Sequence, residues 1–149
     1  MTFSLGIEQA EMLSAALRHI RDAEHLASIG EHRSEDQAWH LVGFGPECIR
    51  KACLQDNAVF QALGHGFDAT SEEILTYAIS LDAHAARYQL ENVTTTIPEL
   101  LSWSPQARYK ATGVHTGEPV HSLVARAKEL INRIHAELWA DGRVMGDDL

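Results

Sequence analysis

The chain has 149 residues, 45% of them hydrophobic and two of them cysteine, with a formal net charge of −9. That size and apolar content predict one domain, residues 1–149, with a core that needs no staples, and two cysteines exclude a secreted disulfide framework. The charge opposes generic binding to a long polyanion, and with no run near the roughly 20 apolar residues of a membrane span and no basic-then-apolar leader, the expectation is a soluble, cytoplasmic protein.

Ala10, Leu13, Ala16, Leu17, Ile20, Ala23 and Ala27 recur at the three-and-four spacing of a helix face, so a first helix is predicted from Ile7 to Ile29, stopped by Gly30. The loop Glu31–Arg33 is short, which folds the next helix back against the first. Ser34 and Gln37 form a capping box for that second helix, whose stripe is Ala38, Leu41, Val42, Gly45, Cys48, Ile49, Ala52 and Cys53. Pro46 removes one helical hydrogen bond, but the stripe continues across it, so a kink is expected rather than a break. Cys48 and Cys53 lie five apart on a helix, point in different directions, and read as small buried hydrophobes.

Asn57–Asp68 holds Gly64 and Gly66 around His65 and reads as a turn beside a short helical piece. Thr70 and Glu73 form a second capping box, opening a third helix with Ile74, Ala78, Leu81, Ala85 and Tyr88 on one face and its end near Glu91 or Asn92. Val93–Thr96 is β-branched and is expected to be an extended connection. Pro98 and Pro105 each suit a first helical position, giving short helices at Pro98–Ser102 and Pro105–Lys110, the second closed by Gly113. The last helix, Pro119–Ala140, carries Val120, Leu123, Val124, Ala127, Leu130, Ile131, Ile134 and Leu138 on one stripe and ends at Asp141-Gly142. The fold class is therefore all-α: an antiparallel four-helix up-and-down bundle with additional short helices before the last long one.

Charge is unevenly placed. Residues 1–75 hold 5 basic and 12 acidic side chains, whereas 103–133 hold Arg108, Lys110, Arg126, Lys128 and Arg133 against 2 acidic ones. That local excess reads as a solvated helix face or as a phosphate-contacting patch. Nine histidines invite a metal reading, but His19, His25, His32 and His40 are spaced 6, 7 and 8 apart, which matches no ligand motif, and His-Glu-x-x-His and Cys-x-x-Cys are both missing. They read as surface or loop histidines, with no metal and no cofactor implied. Trp39, Trp103, Trp139 and Tyr88 read first as core residues, although Arg87-Tyr88 and Trp103 also suit a cleft and tryptophans near helix ends suit subunit contacts.

One ordering of landmarks stands out: Glu47 and Lys51-Ala52 on the second helix, His65-Gly66 in the following turn, and Arg108-Tyr109 ahead of the last helix. In an all-helical chain of this size, and over about residues 7–140, this order resembles the HEPN family. The resemblance implies association with RNA or nucleotides beside nucleotidyltransferases, in prokaryotic defence, toxin–antitoxin or similar small-operon systems. It also implies a homodimer, to which Trp39, Phe44 and Trp139 would contribute apolar surface.

Catalytic members of the family carry an Arg, then four to six intervening residues, then a His. The chemistry is metal-independent RNA cleavage, in which histidine moves a proton near neutral pH and arginine stabilises the phosphate charge. Arg18…His25, Arg33…His40 and Arg108…His115 have this spacing, against roughly 1.6 such pairs expected by chance from nine of each residue. Arg108 and His115 stand nearest the family's catalytic position. They depart from it in having Tyr109 after the arginine and Gly113 between the two, so the motif is degraded, enzyme status stays open, and binding is expected ahead of cleavage. His65, Tyr109, Lys110 and Arg126 are the expected ligand contacts. The alternative reading is a non-catalytic helical adaptor that dimerises or docks on a partner protein, which the acidic first half favours.

Overall fold

The structure, a computed structural model, describes residues 4–31 and 33–144. Its α-helices are α1 (Ile7–Ala27), α2 (Glu35–Ala52), α3 (Asn57–Ala62), α4 (Ala69–Leu81), α5 (Ala83–Ala86), α6 (Val93–Thr96) and α7 (Glu118–Ala140). Three 3-10 turns, Leu90–Asn92, Pro98–Ser102 and Pro105–Tyr109, complete the chain, and the described residues contain no strand. The class is the all-helical bundle expected, with its short helices ahead of the last long one.

The long helices α1, α2 and α7 pack on one another. Lys128 Nζ pairs with Glu24 at 2.6 Å and the Leu5 amide donates to the Arg143 carbonyl at 3.1 Å, so α1 and α7 run antiparallel. Every residue of the predicted α7 stripe is buried, and Leu13, Ala16, Ile20, Ala23, Val42 and Ile49 face it from α1 and α2. Cys48 and Cys53 are buried free thiols, and burial pushes them up to about 11 and about 12, so both stay protonated.

Helix α2 continues unbroken through Pro46, and its Ser34 Oγ accepts from the Gln37 amide as expected. Two glycines in it make room for neighbours rather than for unusual torsions. A Cβ on Gly43 would fall inside the indole of Trp103, and one on Gly45 would lie 2.7 Å from Ile131 Cδ1. Trp103 is 3% exposed, lies flat on Gly43, and its Nε1 donates to the His40 carbonyl at 3.0 Å.

Several local expectations are corrected. Helix α1 ends at Ala27, with Ser28 as its cap, two residues short of Gly30's neighbour. The N-cap of α4 is Asp68, whose Oδ1 accepts from Ser71, so Thr70 sits inside the helix. The third helix does not reach Glu91: Asp82 breaks it by capping the His84 and Ala85 amides, and Leu81 is left exposed while Leu75 takes the core position. Val93–Thr96 is a helical turn, because Val93 and Ile97 are both wholly buried and this geometry places both inward. Here tertiary burial overrides β-branched preference. Trp139 is exposed rather than core, whereas Tyr88 and Trp103 are core.

Candidate functional site

The polar chemistry gathers on one face of α2. His40, Phe44, Glu47 and Lys51 are spaced four, three and four apart, which stacks them along a single side of the helix. Three segments meet that face: α1 through His19, the turn 63–67 through His65, and the segment 103–115 through Trp103.

At its C-terminal end lies a buried ionic network. Glu47 Oε1 accepts from Lys51 Nζ at 2.9 Å and stands 2.8 Å from His65 Nδ1, while Glu47 Oε2 accepts from the Gly66 amide. Lys51 also donates to the Gly64 carbonyl at 2.7 Å. Gly64 and Gly66 have φ of 59° and 103°, torsions that side chains resist, and these two bends turn His65 back onto the carboxylate. The Glu47 and Lys51 side chains are nearly wholly buried, whereas the His65 ring is mostly exposed, so the charges are satisfied inside and one imidazole edge faces solvent. Arg50, next to Lys51, points elsewhere: it forms a two-pronged pair with Glu72 at 2.5 and 3.0 Å, donates to the Leu90 carbonyl, and covers the Phe67 ring. Consecutive cations on α2 thus fasten two separate segments.

At its N-terminal end the carboxylates Glu35 and Asp36 hold the loop before α7. Asp36 accepts from the amides of Gly113 (2.7 Å) and His115 (2.9 Å), and Glu35 accepts from the Gly117 amide. The Gly113 hydrogen bond, followed by that of His115, holds the Asp36 carboxyl below the usual range. The His115 ring stacks face to face on Trp39 at 3.7 Å. Its pKa is lowered, chiefly by burial, with Asp36 opposing and Lys110 reinforcing.

The predicted residues therefore separate. His65 belongs to the Glu47–Lys51 network. Arg108 and Tyr109 lie on the 3-10 turn that packs against α2, with the guanidinium 4.8 Å over the Tyr109 ring and the phenol 71% exposed. Arg108 lies within electrostatic reach of His40, and Lys110 within reach of His115. Arg126 is engaged by Glu99 in a two-pronged pair, which raises its own pKa and lowers that of Glu99. Lys128 is held by Glu24 and Arg133 by Glu137. Most of the basic excess read from 103–133 is thus internally neutralised, and Arg108 and Lys110 are its members without an ion pair among the described residues.

Histidines correct the expectation of surface positions. His25, His65 and His84 are exposed, but His19 is half-buried and His40 is only 7% exposed; His32 lies outside the described residues. Sequence reasoning missed His40 as a site residue. Its only signal was the Arg33…His40 spacing, and in the structure its cationic neighbour is Arg108. Among the described residues no three His, Cys, Asp or Glu side chains gather in a group able to hold a metal ion, and no helix is long and apolar enough to cross a membrane.

The chain matches no protein-family model, and no curated protein or solved structure is similar to it.

Proposed function

We propose that the protein is a HEPN-like, cytoplasmic, nucleotide- or RNA-associated protein of a prokaryotic defence, toxin–antitoxin or similar small-operon system, and that it binds its ligand without cleaving it. The observation that carries this reading is the segment Arg108–Lys110. In a chain of net charge −9 it presents two cations without carboxylate partners, beside the exposed Tyr109 ring and the Trp39–His115 stack. Phosphate contact and base stacking need that combination, and its small extent suits a nucleotide or a short single strand better than a long duplex. The resemblance residues Glu47, Lys51, His65 and Gly66, which are distant in sequence, share one hydrogen-bonded network, and this supports the reading further.

Turnover is not expected. The His115 pKa is lowered, chiefly by burial, its ring is committed to Trp39, and Arg108 sits on a 3-10 turn rather than on a helix shared with it. The test is fluorescence anisotropy with a short single-stranded RNA and a nucleoside triphosphate at low and moderate salt. Arg108→Ala and Lys110→Ala should each weaken binding several-fold, and Arg126→Ala should change it little. Unaltered affinity in the first two variants would refute the reading. RNA cleavage that survives a chelator and disappears in His115→Ala would refute its non-catalytic part.

A second reading, a helical adaptor, is favoured by a groove of about 720 Å³ between the end of α1 and α7, where Ala27, Ile29 and Val124 lie among the polar side chains of Glu24, His121 and Lys128 and Ile29 is 94% exposed. A homodimer, or a nucleotidyltransferase or other operon partner, would satisfy either reading. The exposed Trp139 makes dimerisation testable: sedimentation should show a dimer at tens of micromolar that Trp139→Ala weakens, and a salt-independent monomer would exclude it.

A further inference from the structure

Helix α4 ends in an apolar ridge that the described residues leave uncovered. Tyr77 and Leu81 lie one turn apart on its outer side and are 66% and 70% exposed. Asp82 fixes that end, because its carboxylate accepts from the His84 and Ala85 amides and stops the helix at Leu81. A hollow lies on each side of the ridge. The one beside Leu81 measures about 410 Å³ and is walled by Leu54, Val59 and Ala78. The one beside Tyr77, about 500 Å³ and more open, runs along Thr76 and Ser80. A ridge between two furrows is the relief into which apolar side chains spaced three and four apart on another helix pack.

Charge decides which helix. Asp56 and Asp82 edge the first hollow and Glu73 edges the second, and none of the three has an ion pair among the described residues. Glu72, also at the second hollow, is paired with the buried Arg50. No lysine or arginine among the described residues lines either hollow. Such a rim repels the phosphates of nucleic acid and of an anionic membrane. It also disfavours a second copy of this chain, since a two-fold contact through the same face sets these carboxylates against one another. A segment whose apolar stripe is bordered by lysines or arginines satisfies the ridge and the rim together.

We propose that α4 is a docking site for a basic amphipathic helix of a partner protein. The partner's apolar side chains enter the hollows beside Tyr77 and Leu81, and its cations face Asp56, Glu73 and Asp82. This surface shares no residue with Arg108–Lys110 or with the groove between the end of α1 and α7, so it is independent of the nucleotide reading.

The probe is a fluorescein-labelled peptide of about 18 residues, long enough to form a helix, with leucines at three-and-four spacing and lysines elsewhere. A second peptide carries glutamate in place of every lysine. Anisotropy with the full chain should show saturable one-to-one binding of the lysine peptide, weaker at higher salt, and none of the glutamate peptide. Tyr77→Ser and Leu81→Ser, both at exposed positions, should each weaken binding about tenfold, the size of one apolar side chain lost from a contact. The triple variant Asp56→Asn, Glu73→Gln, Asp82→Asn keeps both helix caps, because asparagine caps as aspartate does, and should bind several-fold more weakly with a flatter salt dependence. Removing charge at the far end of α2, by Glu31→Gln with Glu118→Gln, should change nothing, and Arg108→Ala should leave peptide binding intact. Equal losses in that control pair and the triple variant would mean diffuse attraction to an acidic protein and would overturn the site. Affinity unchanged in Tyr77→Ser and Leu81→Ser, or no saturable binding of the lysine peptide, would overturn it as well. A dimer in sedimentation that Leu81→Ser dissociates would place a second copy on this face and refute the basic partner.

Discussion

Gly43→Ala is the most informative single substitution in the fold. The added methyl would overlap Cε2, Cδ2 and Nε1 of Trp103, so the indole must leave its seat on α2. On helix propensity alone the change should stabilise by about 1 kcal/mol. Against this stand the hydrogen bond from Trp103 Nε1 to the His40 carbonyl, worth about 1 kcal/mol, and the packing of a side chain 3% exposed among Phe44 and Phe67. Complete loss of a buried Trp costs about 3–5 kcal/mol, and displacement forfeits a large part of it. The net expectation is destabilisation by about 2–4 kcal/mol, which in a chain this long lowers Tm by roughly 6–12 °C. Urea denaturation followed by tryptophan fluorescence measures it. Two controls sharpen the result: Gly45→Ala should cost less, since the flexible end of Ile131 can turn aside, and Gly30→Ala, where nothing lies within 4 Å, should be neutral. A Gly43→Ala protein as stable as the parent would refute the placement of Trp103 on α2.

Breaking the buried Glu47–Lys51 pair from one side, by Glu47→Gln or Lys51→Met, should cost about 3–5 kcal/mol, and the double variant should cost less than the sum, as a denaturant-based double-mutant cycle will show. Additive losses would mean the pair is not coupled. The pKa values of His19, His40 and His115 are lowered by folding, so their contribution is whole above the unfolded value of 6.5 and is lost as pH falls toward the folded values; the denaturation midpoint should therefore decline between about pH 7 and 5, less so in His40→Asn. Asp36, Asp68 and Glu99, also lowered, add a second loss only at pH below the ordinary carboxylate range, and a midpoint flat from 7 to 5 would contradict the histidine environments. Leu130→Ala and Ile134→Ala should each cost about 2–4 kcal/mol in the same assay, and less than about 1 kcal/mol at both would mean that the α7 face is not buried.

The helices that were legible in the sequence are those whose burial is one-sided and regular. For α1, α2 and α7 the apolar spacing alone located the core face, and Ser34 located a cap. Asp82 escaped notice because the stripe from Ile74 to Tyr88 runs through it in register; only the side chain's competition for the next amides ends the helix there. Asp68 lost to Thr70 for a similar reason, since both precede a plausible helix and the cap geometry decides. The site was less legible still. Glu47 and His65 were visible as separate pieces, but His40 and Arg108 are 68 positions apart, and no local pattern couples a buried imidazole to an arginine on a distant turn. Arg126 was misleading in the opposite sense, because counting charges along the chain does not reveal that the fold sets Glu99 against it, and Glu99 lies outside the window in which the excess was counted.

The stretch between α5 and α7 has no long helix, yet it is fastened at intervals: the Tyr88 hydroxyl donates to Asp141 at 2.8 Å, Trp103 to α2, and the amides of Gly113, His115 and Gly117 to Asp36 and Glu35. A segment tied this way gives up its conformational freedom when the protein folds, so Arg108 and Tyr109 are already in place before any ligand arrives. Association then orders few new torsions, and the encounter should proceed as docking to a fixed surface, with affinity differences among ligands expressed mainly in how slowly they leave.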